Sequence, residues 1–178
     1  SWSYWDFTDP SHWVTNSGVY NTIPNDADFV MNFDWTVNGF DTAYMSLGSD
    51  TSSYGDPPSG DKKLLLFYAG GSSDIRYSAR YNDGGASEDN VQDSGGTAFT
   101  TGLKSYFQVI KSGSSFDYAR YGSDADRVSQ TNALESTATV TLHSDYASTN
   151  DFKYITHGEG GSSAGGTLHN VELWIGTD

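Results

Sequence analysis

Phe29-Val30-Met31-Asn32-Phe33-Asp34-Trp35-Thr36-Val37 alternates without a break, with Phe29, Met31, Phe33, Trp35 and Val37 on one side and Val30, Asn32, Asp34 and Thr36 on the other. Side chains of a β-strand point to opposite faces in turn, so this run reads as a strand with one face in an apolar core and the other toward water. Ala43, Met45 and Leu47 repeat the alternation after the Asn38-Gly39 turn signal, and Leu64-Leu65-Leu66-Phe67-Tyr68 is a short apolar run suited to a strand covered on both faces. Ile75, Tyr77, Ala79 and Tyr81 alternate with Arg76, Ser78 and Arg80. Further strands are expected over 106–111, 116–121, 137–142, 152–156 and 168–175. No window of twelve residues carries a capped 3.6-residue period, so the chain is expected to be all-β. Lys111-Ser112-Gly113-Ser114-Ser115 has hairpin composition and sets its flanking strands side by side and antiparallel. Nine or more short strands favour an antiparallel two-sheet jelly-roll sandwich over a small barrel.

Composition agrees with that reading. A chain of 178 residues is one domain's worth, expected to span residues 1–178, and folding at that length buries about two thirds of the unfolded surface. Aromatic residues make up 15%, with 5 Trp, 12 Tyr and 9 Phe, which excludes a disordered tail. Phe29, Phe33, Trp35, Phe107 and Trp174 are expected in the core. No stretch approaches the 18 or so apolar residues of a membrane span. Nine Lys plus Arg against 23 Asp plus Glu leave a net charge of -14, which repels phosphate backbones and anionic lipid. Nucleic acid and membrane surfaces are therefore not expected partners. The absence of Cys excludes disulfides, thiolate metal sites and a cysteine nucleophile. No basic segment followed by an apolar one marks a signal peptide.

The second half carries a recognisable order. YFQVIKSGSSFDYARYGSDADR (106–127) is strand, Gly/Ser turn, strand and Asp-rich turn; ATVTLHSDY (138–146) follows, then DFKYITHGEGGSSAGGTLHNVELWIG (151–176), a strand, a Gly-rich loop and a closing strand. Its close, Gly166-x-Leu168-x-Asn170-Val171-x-Leu173, together with the Trp-rich segment 2–13, resembles the concanavalin A-like lectin/glucanase superfamily, including laminin-G-like domains. The resemblance covers about two thirds of the chain and implies a jelly-roll sandwich, with segment 2–13 near the closing strand and a carbohydrate as ligand. It carries no catalytic motif. The E-x-D-x-(x)-E string of the glucanases and the Q-(I/V)-H strand of the alginate-lyase-type members are both missing.

Other chemistry is thinly represented. Gly161-Ser162-Ser163-Ala164-Gly165 matches G-x-S-x-G, but that elbow needs a strand-to-helix turn and a later Asp and His, and here it lies in a Gly/Ser loop. Glycoside hydrolysis needs two carboxylates across a cleft, and only Glu88, Glu135, Glu159 and Glu172 exist besides the aspartates. His143 with Asp145 and His157 with Glu159 are spaced to share strand faces, yet each lacks a third ligand. Asp83, Glu88, Asp89 and Asp93 are expected in one long loop, where carboxylates and carbonyls together suit calcium; Asp124 and Asp126 form a smaller acidic turn.

A sugar is expected on a sheet face carrying Arg76, Arg80, Gln108, Asp117 and Tyr121, whose strands turn apolar residues the other way. Guanidinium and amide donors, a carboxylate acceptor and a flat phenol match a polyhydroxylated ring. The expected function is a non-catalytic, lectin-like module of an extracellular or virion-surface protein, with polysaccharide or glycan as partner and calcium as a candidate ion. The alternatives are a structural surface subunit without a ligand, and a polysaccharide-degrading enzyme with an unrecognised site.

Overall fold

Phe29, Met31, Phe33, Trp35 and Val37 are each at most 2% exposed, so the alternation that defines this strand does bury one complete face. The computed structural model describes residues 2–9, 11, 22–24, 27–38, 43–49, 62–69, 75–82, 89–94, 100–113, 115–134, 138–141, 151–159 and 166–176. Its strands are β1 (Trp2–Asp6), β2 (Asp28–Val37), β3 (Ala43–Gly48), β4 (Lys62–Ala69), β5 (Ile75–Asn82), β6 (Asp89–Ser94), β7 (Lys104–Ser112), β8 (Ser115–Tyr121), β9 (Ala138–Thr141), β10 (Tyr154–Glu159) and β11 (Gly166–Gly176). They form two antiparallel sheets, a six-stranded one ordered β1-β10-β3-β4-β5-β6 and a five-stranded one ordered β11-β2-β7-β8-β9. This is the expected jelly-roll sandwich.

The core lies between the sheets. Phe33 stacks on Phe107 at 4.6 Å between ring centroids, Phe29 meets Phe116 and Phe152 edge-on, and Met45, Leu47 and Ile155 close it from the six-stranded side. Offset and edge-on ring pairs of this kind add about 0.5–1.5 kcal/mol each beyond burial. One tie crosses the core: the Trp35 Nε1–H donates to His157 Nε2 at 3.1 Å, which holds His157 in the tautomer with Nε2 unprotonated. His157 is thus committed to the core.

The hairpin at 111–115 forms as expected, with Ser112 opposite Ser115 and Gly113 at φ 55°, where a glycine costs least. The Asn38-Gly39 signal does not make a hairpin, because β2 and β3 enter different sheets. Strands β6 and β9 meet at one side of the sandwich, which leaves β1 and β11 as the outermost strands of their sheets at the other. The N-terminal strand β1 pairs with β10, and the closing strand β11 approaches β10 and β3 of the other sheet.

One element departs from the all-strand expectation. Residues Asp124–Ser129 form a short helix, α1, capped by Ser123, whose Oγ accepts from the Asp126 N–H while its hydroxyl donates to Asp126 Oδ2. The capping signature Ser-x-x-Asp was present in the sequence but too short a helix followed it to show a period.

Candidate functional site

The outer face of the five-stranded sheet is built in register rows. Trp174, Val30, Ile110 and Asp117 face one another across β11, β2, β7 and β8; the next row is Glu172, Asn32, Gln108 and Ala119; the third is Asn170, Asp34, Tyr106 and Tyr121. A bulge between Leu168 and Asn170 inserts His169 and resets the alternation, so that Leu168, Val171 and Leu173 pack on the core while Trp174 turns outward. Trp174 is 50% exposed.

Helix α1 closes the third row. Arg127 is buried beneath it, with Nη1 donating to Asp34 Oδ1 at 2.7 Å and to the carbonyls of Phe33 and Phe107 at 3.4 and 3.3 Å, and Nη2 donating to Asp124 Oδ1 at 2.7 Å. Asp34 also faces Lys104 at 3.4 Å, and both cations lie over the Tyr106 ring, at 5.2 Å for Lys104 and 5.4 Å for Arg127. A carboxylate shared by two cations and backed by an aromatic ring is an anchoring arrangement, since its charges are already compensated. Asp126 is held below the usual carboxylate range by the Ser123 hydroxyl and then by the Asn132 amide.

The middle row is a chain of amides. Gln130 donates to Gln108 Oε1 at 3.0 Å, and Gln108 in turn donates to Asn32 Oδ1 at 3.2 Å. Gln130, exposed, and Gln108, half-buried, each keep a second N–H for a ligand, whereas Asn32 is buried. Glu172, exposed on β11, accepts from Asn170 at 3.4 Å. Beyond it the Trp174 row is apolar for three strands, about 10 Å across at ordinary strand spacing.

The five expected sugar contacts do not share a face. Gln108 and Asp117 stand on the outer face just described. Arg76 and Arg80 belong to β5 of the six-stranded sheet, in register with Tyr68 and Leu64, on the opposite side of the sandwich. Sheet membership is decided by long-range pairing, which the alternation within a strand does not carry. Tyr121 does face outward but is only 4% exposed, and burial pushes its phenol up from the ordinary tyrosine range. It offers no open ring for stacking.

The acidic loop is also rearranged. Asp83 and Glu88 lie outside the described residues, whereas Asp89 and Asp93 are in β6, paired with Tyr81 and Tyr77, so the four acids do not belong to one loop. Asp124 and Asp126 serve α1, and among the described residues no three His, Cys, Asp or Glu side chains come together to hold a metal. The G-x-S-x-G string at 161–165 and His143 with Asp145 lie outside the described residues. Trp174 was expected in the core. The apolar alternation of Val171, Leu173 and Ile175 already put Trp174 on the other side, and that signal finds it.

Similar architectures are known among solved structures. Sheep galectin-11 in complex with glycerol matches 86% of this chain and 95% of its own with a TM-score of 0.50 and 9% identity. The carbohydrate-binding module CBM66 from Bacillus subtilis matches 83% of this chain and 74% of its own at 0.50 and 12%. An alginate lyase from Klebsiella pneumoniae matches 84% of this chain at 0.53 and 10%, and the chain spans 60% of that enzyme's length. The fold is an antiparallel two-sheet jelly-roll sandwich. No protein-family model and no curated protein matches the sequence, so the likeness is one of fold. Among the described residues no helix is long and apolar enough to cross a membrane.

Proposed function

We propose that this chain is a non-catalytic carbohydrate-binding module of an extracellular or virion-surface protein, and that its ligand lies on the outer face of the five-stranded sheet against Trp174. The observation that carries this reading is the half-exposed Trp174 in line with Val30 and Ile110 and beside the Glu172, Asn32 and Gln108 row. An indole face takes the C–H side of a pyranose, and amides and a carboxylate one register step away take its hydroxyls. The carbohydrate-binding module among the similar folds supports the ligand class. The absence of a glucanase or alginate-lyase string in the sequence supports a binding rather than a catalytic role.

Each hydrogen bond here is worth about 0.5–1.5 kcal/mol net, so a single sugar binds weakly and a polymer binds through several units. A glycan array with and without calcium tests the reading, calcium being included because Asp83, Glu88, Asp89 and Asp93 are ligand types that the ion takes. Trp174→Ala is expected to lower affinity for the best glycan at least tenfold while leaving the melting temperature unchanged, since a half-exposed ring contributes little to the core. Equal binding by the variant would remove Trp174 from the site.

A second reading, a structural surface subunit, is favoured by one feature: among the described residues β11 pairs only with β2, and Ile175 on its inward side is still 46% exposed at the sheet's end. Silence across the array together with self-association in sedimentation velocity would support it.

A further inference from the structure

We propose that the sugar site runs across the strands from Trp174 to Gln130, so that it takes a run of linked sugar units and uses Gln130, which belongs to no strand, as the contact at its far end. This rests on the reading of the Trp174 face as the sugar site and adds the length of ligand that the face takes. Gln130 follows α1 with a left-handed backbone, φ 53° and ψ 39°, and its N–H closes the helix on the carbonyls of Arg127 and Asp126. That closure is backbone work, and glycine does it with the least strain. The chain places a long amide there instead, and its side chain serves the sheet rather than the helix: Gln130 Nε2 donates to Gln108 Oε1 at 3.0 Å. Strain kept for a side chain that its own element does not use points to a task outside that element.

Register places that task. Gln108 stands two strands across from β11 and one register step beyond the Trp174 row, about 12 Å from Trp174 at ordinary strand spacing. A pyranose stacked on Trp174 covers the indole and stops short of the amide pair. The floor between them is Val30 and Ile110, half-buried and apolar, which suits the C–H faces of further units. At the far end Gln130 is exposed and Gln108 half-buried, each with a second N–H for the hydroxyl, ring or linking oxygens of those units. Both amides are held before a ligand arrives. Gln108 is fixed on Asn32 Oδ1 at 3.2 Å, and the helix that carries Gln130 is tied to β2 by the Arg127–Asp34 bond at 2.7 Å. Donors fixed in advance lose little freedom on binding, so each added unit that reaches them gains affinity.

The test uses the intact chain and two ladders of soluble sugars, cello- and manno-oligosaccharides of one to six units, titrated calorimetrically into the parent, Gln130→Gly and Trp174→Ala. In at least one ladder, affinity for the parent is expected to climb at least tenfold from two units to six. Gln130→Gly is expected to bind six units at least fivefold more weakly and two units as the parent does. Its melting temperature is expected to equal or exceed the parent's, because glycine relieves the left-handed strain. Trp174→Ala is expected to weaken binding at every length. If two and six units bind the parent equally, or Gln130→Gly binds six units as the parent does, the extension is overturned, while the loss in Trp174→Ala keeps the reading of the face. A lower melting temperature in Gln130→Gly would make Gln130 part of the scaffold and overturn the extension too. If Trp174→Ala binds as the parent does, or neither ladder binds, the reading of the face falls and the extension with it.

Discussion

Gly166 shows how little room a single position in this sandwich has. A Cβ built there would sit 2.8 Å from Trp35 Nε1, 3.0 Å from the Thr36 carbonyl and 3.4 Å from His157 Nε2. The carbonyl belongs to a paired strand and the indole is wedged in the core, so neither yields. Gly166→Ala is expected to cost about 1–3 kcal/mol and to break the Trp35–His157 hydrogen bond, read as a lower urea midpoint with unchanged slope. The Asp34–Arg127 pair makes the same point through charge. Asp34→Ala would strand a buried guanidinium and cost about 3–5 kcal/mol, whereas Asp124→Ala, at an aspartate 62% exposed, would cost under about 1 kcal/mol. Comparable losses in the two variants would show that α1 is not anchored through Asp34. At this scale the sequence was legible wherever alternation was clean: every residue on the apolar side of β2 is buried. Trp174 was misread because a large aromatic was assigned to the core by type, when its neighbours Leu173 and Ile175 already occupied the inward positions. Arg127 was invisible because a buried charge is recognised only by its partner, and Asp34 is far away in the chain.

At the scale of elements, the stability of α1 depends on acid–base state. The Ser123 hydroxyl and the Asn132 amide favour ionised Asp126 and lower its proton affinity in the folded chain. A carboxylate depressed in the folded state stabilises the fold above its ordinary range, near pH 4, and loses that contribution as pH falls through the depressed value. Acidification below about pH 4 is therefore expected to loosen α1, and Asp126→Asn to remove this part of the pH dependence. Amide exchange of 127–131 in the parent and variant checks it, and identical acid profiles would show that Asp126 does not govern the helix. Strands were legible as elements because period two is local. Their distribution between sheets was not, since β5 and β8 carry the same alternation yet stand on opposite sides of the core. That is why Arg76 and Arg80 were grouped with Gln108, Asp117 and Tyr121: each strand announces which residues point away from the core, but not which of the two outer surfaces they join.

For the molecule as a whole, the jelly-roll class followed from strand count, turn composition and the absence of helical period, all of which are sums over many residues and so tolerate local error. The lack of Cys excludes thiolate and disulfide chemistry by the same kind of whole-chain reading. The binding surface was less legible, because it is assembled from β11, β2, β7 and β8, segments brought together only on folding. The pairing of β2 with β11 has a consequence in time as well as in space. The first long core strand, Asp28–Val37, finds one of its two neighbours in Gly166–Gly176, so during synthesis it must wait with that flank unsheltered until residues 166–176 have left the ribosome. The β7–β8 hairpin can close early, but the sandwich cannot, and such sequence-distant closure places folding on the millisecond-to-second scale typical of all-β domains. A chain truncated before residue 166 is expected to lack a cooperative thermal transition, and ribosome-bound lengths short of 176 to remain protease-sensitive. Translation of this sandwich is thus a race in which β11, made long after β2, releases that strand from exposure.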